Sequence, residues 1–195
     1  SPPAYSLPCR VQVLRETRFL NKYIQFEKEK KWQSVEFFPS NKWNIGVLGI
    51  GAIGKHVALS LSNFGYNVMG WSRSTKNIEE IQCYYGESGL YKMLPQCKIL
   101  VCILPLTQET KHIISKETMS HLPDGATIIN AGRGGHVNED DLLYMIDKGK
   151  IKNAYLDVFE TEPLPSNHIF WIHQKISVWP HISAETNTET SIDQI

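Results

Sequence analysis

Three polar residues sit just past apolar stretches of this chain, and their types suit one chemistry. Arg133 lies in Ala131-Gly-Arg-Gly-Gly135, Glu162 in Glu160-Thr-Glu-Pro163, and His181 directly after Trp179-Pro180. An arginine flanked by Gly132, Gly134 and Gly135 has backbone room to reach a ligand, and its planar fork fits a carboxylate bidentately. A carboxylate beside a histidine favours the cationic ring, which can then give a proton to a carbonyl oxygen. Each residue alone also has a bland alternative: Arg133 as a surface ion pair, Glu162 as a loop charge, His181 as a cap. His56, His112, His121, His136, His168 and His173 are read as structural.

An open α/β sheet could bring three such residues to one edge, since these sheets bind ligands beyond the carboxyl ends of their strands. The stretch Asn44-Ile-Gly-Val-Leu-Gly-Ile-Gly-Ala-Ile-Gly54 begins one. Ile45, Val47, Leu48 and Ile50 read as a short apolar strand, and Ile53, Val57, Leu61 and Phe64 continue with helical spacing. Between them lies Gly49-x-Gly51-x-x-Gly54, the order a dinucleotide pyrophosphate needs. The first glycine permits the turn, the second lets backbone approach phosphate, and the third lets helix and strand pack closely. The helix N-terminus then points its free N–H groups at the anion. A glycine-rich surface turn is the alternative, but it explains neither flank.

A second strand, Asn67 to Trp71, pairs in parallel with the first through a right-handed crossover. Folds that select NAD place an Asp or Glu near its end to accept the ribose 2′-hydroxyl. This chain offers Ser72-Arg73-Ser74-Thr75-Lys76 instead. With no carboxylate in that stretch to repel a 2′-phosphate, the reading is NADP(H) rather than NAD(H). Arg73 is the main contact, and Ser72, Ser74 and Lys76 help. A solvated basic turn is the alternative.

The remaining elements follow from periodicity. Residues 1–10 are Pro-rich and irregular. Val11 to Trp32 is helical, with Val13, Thr17, Leu20 and Ile24 on one face and Phe19, Tyr23 and Phe26 beside it. Its charged run Glu27 to Lys31 is a solvated end, and Ser34 to Lys42 a linker. Leu90, Met93 and Leu94 mark a short helix ending near Pro95. Lys98 to Leu104 is a buried strand, closed by Pro105-Leu-Thr107. Thr110 to Leu122 is weakly helical, and Ala126 to Asn130 is a strand. Asn138 caps a helix that Gly149 stops. Asn153 to Phe159 and Ile176 to Trp179 complete an alternation of strands and helices. The fold class is therefore α/β, a Rossmann-type doubly wound parallel sheet.

Composition sets outer limits. The 195 residues suffice for one good core and part of a second; 42% are hydrophobic and 21% charged, as in ordinary globular proteins. Lys+Arg and Asp+Glu both count 20, so nothing in the net charge suggests nucleic acid or an anionic membrane. The longest apolar run, Ile99 to Leu106, is far too short to span a bilayer. Cys9, Cys83, Cys97 and Cys102 form no C-x-x-C pair, which suggests reduced thiols, no metal site and a cytoplasmic address. At the N-terminus Ser1-Pro-Pro shows neither the charged nor the apolar region of a signal peptide, and without an initiating Met both ends look cut.

In chain order, Gly49 to Gly54, Ile103-Leu-Pro-Leu-Thr107, Asn130-Ala-Gly-Arg-Gly-Gly-His-Val137, Leu156-Asp-Val-Phe159 with Glu162-Pro163, and Pro180-His-Ile-Ser183 resemble the D-isomer-specific 2-hydroxyacid dehydrogenases. Trp71-Ser-Arg-Ser, His136 to Leu143 and Glu162-Pro-Leu-Pro165 are similar to the glyoxylate/hydroxypyruvate reductase A branch. The likeness covers residues 10–195. It implies that Arg133 binds the substrate carboxylate and polarises the carbonyl, and that His181 is the proton donor or acceptor with Glu162 orienting it. It further implies that Gly51, Ala52 and Ile53 meet the pyrophosphate, Arg73 the 2′-phosphate, and Asp157 the nicotinamide carboxamide. Leu104, Pro105, Thr107, Ala131 and Gly132 would line the cofactor path, with Gly49, Gly54, Arg133 and His181 beside it.

The implied reaction is NADPH-dependent reduction of glyoxylate to glycolate or of hydroxypyruvate to D-glycerate, in a homodimer. Family members are longer, so residues 1–40 are read as a remnant of the substrate domain and 41–185 as the NAD(P)-binding domain. Residues 186–195 are read as the start of a truncated crossover helix. Two alternatives on the same fold are a nucleotide-sensing protein, as the C-terminal-binding-protein corepressors are, and a catalytically incomplete NADP-binding fragment. The corepressor reading expects an acidic residue where Ser72 stands.

Overall fold

The computed structural model describes residues 7–184. Seven strands form one sheet: β1 (Asn44–Leu48), β2 (Asn67–Ser72), β3 (Gln82–Tyr85), β4 (Ile99–Cys102), β5 (Ala126–Asn130), β6 (Ile151–Leu156) and β7 (Ile176–Val178). Their order is β3-β2-β1-β4-β5-β6-β7, and every pairing is parallel. Ile45 is flanked by Val68 on one side and Ile99 on the other. The chain leaves β1 toward β3 and then crosses back to β4. A crevice therefore opens beyond the carboxyl ends of β1 and β4, where such sheets hold ligands.

Alternation along each strand feeds two separate cores. Ile45, Val47, Val68, Ile99, Val101, Ile129 and Tyr155 face one side, and Leu48, Met69, Leu100, Cys102, Ile128, Ala154 and Leu156 face the other. The first side is covered by α1 (Leu7–Thr17) through Cys9 and Val13, and by α3 (Ala52–Asn63) through Val57, Ala58 and Leu61. The second is covered by α4 (Gly86–Met93), α5 (Lys116–Ser120) and α6 (Glu139–Asp147). The Asn138 side chain caps α6 by accepting from the Asp141 amide, beside an acidic first turn that suits the helix dipole.

A buried carboxylate fixes α1 to the sheet. Glu16 is 4% exposed and accepts from Lys152 Nζ at 2.6 Å, Asn153 Nδ2 at 2.8 Å and Tyr155 OH at 3.1 Å. Burial and the neighbouring Glu16 charge push the Tyr155 phenol well up, so it stays a neutral donor. Cys9, Cys97 and Cys102 are buried and free, and burial pushes each thiol up to about 12. They pack as small hydrophobes.

Several elements differ from the sequence-based expectation. The helix expected over Val11 to Trp32 is two helices, α1 and α2 (Leu20–Lys28), and α1 already starts within the stretch expected to be irregular. The break is at Phe19, whose φ of 55° is left-handed. Only α1 packs into the core: Val13 and Thr17 are buried, whereas Leu20 and Ile24 are 43% and 44% exposed. Ile53 and Phe64, expected on the buried face of α3, are also exposed. β3 was not expected, because its half-exposed Gln82-Cys-Tyr-Tyr85 at the sheet edge has no apolar alternation to reveal it. Between Thr110 and Leu122 only Lys116–Ser120 is α-helical. The expected crossover helix at 186–195 lies outside the described residues. Among those described, no helix is long and apolar enough to cross a membrane.

Candidate active site

The glycine turn has the geometry its spacing implies. Gly49 sits at φ 97° between β1 and α3, and a side chain there would press on the Ile103 carbonyl. A Cβ at Gly54 would run into the Gly49 carbonyl oxygen, so α3 can approach β1 only with glycine at that position. Gly51, by contrast, faces open space and precedes an α3 first turn without acidic residues. Open backbone at a helix N-terminus with no competing carboxylate fits a pyrophosphate.

A trough runs past this turn. Its inner part, a cavity of about 750 Å³, is lined by the backbone of Gly49 to Gly54 with Leu104, Pro105, Ala131, Gly132 and Arg133. Cys9 of α1 and Ser183 also reach it. Its outer part, about 550 Å³, shares Gly49, Gly51, Leu104 and Pro105 and continues to Ser72, Arg73, Ser74, Lys76 and Thr107. The expected cofactor residues thus line one continuous path, apart from Asp157 and His181.

Arg133 is held by the loop that follows β5. Asn130, fully buried, donates from Nδ2 to the Arg133 carbonyl at 2.9 Å and accepts from the Gly132 amide at 3.2 Å. The Arg133 amide donates to His136 Nδ1 at 3.0 Å, while its guanidinium donates to the Gly132 carbonyl at 2.7 Å. Burial holds the His136 ring below its ordinary pKa, which keeps Nδ1 available as an acceptor. Gly134 lies against the Phe159 and Glu160 backbone with no room for a side chain, which draws the Arg133 loop against the loop carrying Glu162.

Glu162 and His181 are paired. Glu162 Oε2 is 2.7 Å from His181 Nδ1, and Glu162 Oε1 accepts from the Phe159 amide at 2.9 Å. Burial alone would raise the Glu162 carboxyl. The Phe159 amide, His181 and the Arg133 charge outweigh it, so the group is held below its ordinary value and stays ionised. His181 has a left-handed φ of 54° and donates its amide to the Asp157 carbonyl at 2.8 Å. Its ring is about one-third exposed.

Three expected site residues make contacts that the sequence reading did not include. Asp157 is fully buried, and its two oxygens accept from the Ile182 and Ser183 amides at 2.9 and 2.8 Å. It pins residues 181–183. Ser72 is buried and donates to the Ser74 carbonyl at 2.7 Å, shaping the turn that carries Arg73. Arg73 is not free of carboxylates: Glu109 Oε2 lies 2.9 Å from its guanidinium. The sequence reading missed Glu109, Asn130 as a loop anchor, and the approach of Cys9. Asn130 stood in a quoted motif at a strand end, but the other two become neighbours only through the fold.

Comparison with known proteins identifies the family. Residues 11–183 match the model of the D-isomer specific 2-hydroxyacid dehydrogenase NAD binding domain. Glyoxylate/hydroxypyruvate reductase A of Serratia proteamaculans is 40% identical over 183 residues, 94% of this chain and 58% of that protein. The chain spans about three-fifths of the length of the curated relatives it matches. An NADPH-dependent glyoxylate/hydroxypyruvate reductase from Sinorhizobium meliloti, solved with NADP and sulfate, superposes with a TM-score of 0.94 at 31% identity, over 98% of this chain and 62% of that one. A D-isomer specific 2-hydroxyacid dehydrogenase from Xanthobacter autotrophicus, solved with NADPH and MES, gives 0.89 at 36% identity, over 92% and 57%. The chain belongs to the D-isomer specific 2-hydroxyacid dehydrogenase family, whose NAD binding domain it carries.

Proposed function

We propose that this chain is the nucleotide-binding part of an NADP(H)-dependent reductase of small 2-oxoacids, with glyoxylate and hydroxypyruvate as substrates. The observation that carries the reading is the Glu162–His181 pair at 2.7 Å, braced by the Phe159 amide and set on the same strand-end edge as Arg133. NADP(H) fits the trough, and when bound it supplies the hydride. Gly51, Ala52 and Ile53 present open backbone at the N-terminus of α3 to the pyrophosphate. Arg73 and Lys76 are the cations available to a 2′-phosphate.

The chain's own residues divide the remaining work. Arg133 turns its guanidinium from the Gly132 carbonyl to the substrate carboxylate and draws electron density from the adjacent carbonyl. His181 gives a proton to the carbonyl oxygen during reduction and takes it back in the reverse direction. Glu162 fixes the ring by holding Nδ1, which directs Nε2 at the substrate and stabilises the imidazolium. Asp157 acts through His181 by pinning the loop on which it sits. Reduction of glyoxylate yields glycolate, and reduction of hydroxypyruvate yields D-glycerate.

Substrate enclosure needs chain beyond these residues, since hydride transfer requires a closed, water-excluding cleft. The exposed Leu20, Ile24, Trp32 and Phe37 around α2 suit a homodimer contact. Balanced charge and buried, unpaired thiols suit the cytoplasm. The test is consumption of NADPH by the full-length gene product with glyoxylate or hydroxypyruvate. Tight NADPH binding with neither substrate turned over would refute the reductase reading.

A further inference from the structure

The ion pair between Arg73 and Glu109 lines the outer part of the trough. Arg73 follows β2 and Glu109 follows β4, 36 residues later; Arg73 Nη1 lies 2.9 Å from Glu109 Oε2. Thr107 Oγ1 donates to the same oxygen at 3.2 Å. The turn presenting Glu109 is braced internally: Thr110 Oγ1 donates to the Pro105 carbonyl at 2.8 Å and accepts from the Thr107 amide at 2.8 Å. Both side chains are mostly exposed, 75% for Arg73 and 66% for Glu109, and both line the same cavity as Ser74 and Lys76. A pair this exposed contributes little to folding. Its position on the cofactor path gives it a different consequence.

We propose that Glu109 sets the balance between NADPH and NADH. It is the acidic residue missing from the end of β2, supplied across the trough from the end of β4. Without a 2′-phosphate it holds the Arg73 fork. A 2′-phosphate must take that fork from Glu109 and sit near its negative charge, which weakens NADPH relative to a site with Arg73 and Lys76 alone. A ribose 2′-hydroxyl instead donates to the Glu109 carboxylate with Arg73 still paired, the hydrogen bond that NAD-selecting sites provide from β2. The charge arrangement at this end therefore narrows the preference for NADPH that the basic stretch Ser72 to Lys76 would otherwise impose.

This inference rests on reading the trough as the dinucleotide site, and one experiment separates the two. NADPH and NADH are titrated by calorimetry into the full-length wild-type protein and into Glu109→Gln. Because exposed ion pairs are worth up to about a factor of five, Glu109→Gln is expected to bind NADPH roughly twofold to fivefold tighter and NADH a few-fold weaker. A merely structural role would move both nucleotides in the same direction. If both bind and the ratio of affinities is unchanged, Glu109 does not set selectivity while the dinucleotide site stands. If wild type binds neither, the site assignment fails and this proposal fails with it.

Discussion

His181 Nδ1 lies 2.7 Å from Glu162 Oε2, and the other oxygen of Glu162 is held by the Phe159 amide at 2.9 Å. A carboxylate fixed by a backbone donor cannot swing away, so the ring is oriented by the fold rather than by the ligand. Both residues follow strands on the edge that also carries Arg133, and this edge is the crevice side of the sheet.

Replacing the carboxylate tests the orientation. Glu162→Gln keeps a partner for Nδ1 but removes the charge that favours the imidazolium. Reduction needs a ring that is oriented as well as protonated, and the neutral amide holds it less firmly than the carboxylate does. The turnover rate should fall by roughly ten- to a hundredfold, less than the roughly hundredfold to ten-thousandfold expected for the acid–base group itself, because Glu162 acts through His181. An unchanged turnover rate would mean that the pair is only structural.

Arg133→Lys keeps the charge and loses the fork. KM for the 2-oxoacid should rise and kcat should fall, with NADPH affinity within about twofold, because charge remains while bidentate geometry does not. Steady-state kinetics check this; unaltered KM would place the carboxylate elsewhere.

Asp157 is predicted to matter for stability as well as for rate. Asp157→Ala strips two amides, those of Ile182 and Ser183, of their buried acceptor. Unpaired buried groups and lost charge-assisted bonds cost about 2–5 kcal/mol together. Urea denaturation should show that loss, and turnover should fall because His181 no longer has a fixed loop.

His136 links stability to pH with a definite sign. Burial lowers its pKa below the ordinary 6.5, so the unfolded chain binds a proton before the folded one does. Its contribution is intact above pH 6.5 and declines as pH falls from there toward the lowered folded value. His136→Asn, which can still accept from the Arg133 amide, should flatten that part of a thermal-denaturation profile. An identical acid dependence in both proteins would remove His136 from the account.

The parts of the site that were legible in the sequence share a property: each is a local pattern. Gly49, Gly51 and Gly54 stand out through spacing and the apolar runs beside them, and Arg133, Glu162 and His181 through their places after strands. What was not legible depends on contacts distant in sequence. Glu109 meets Arg73 only after β4 is laid beside β1 and the following loop folds back. The family resemblance implies a ligand contact for Asp157, but its hold on amides 25 and 26 residues away is visible only in the fold. The break at Phe19 was hidden because its apolar neighbours keep helical spacing on both sides, while only α1 finds a surface to bury against.

In the proposed mechanism His181 moves the proton and takes little part in holding the nucleotide. The most direct measurement compares wild type and His181→Gln in the full-length protein, reading NADPH dissociation constant and turnover with hydroxypyruvate side by side. The account predicts a loss of turnover of about a hundredfold or more with the dissociation constant within about twofold. Normal turnover, or collapse of NADPH binding, would contradict it.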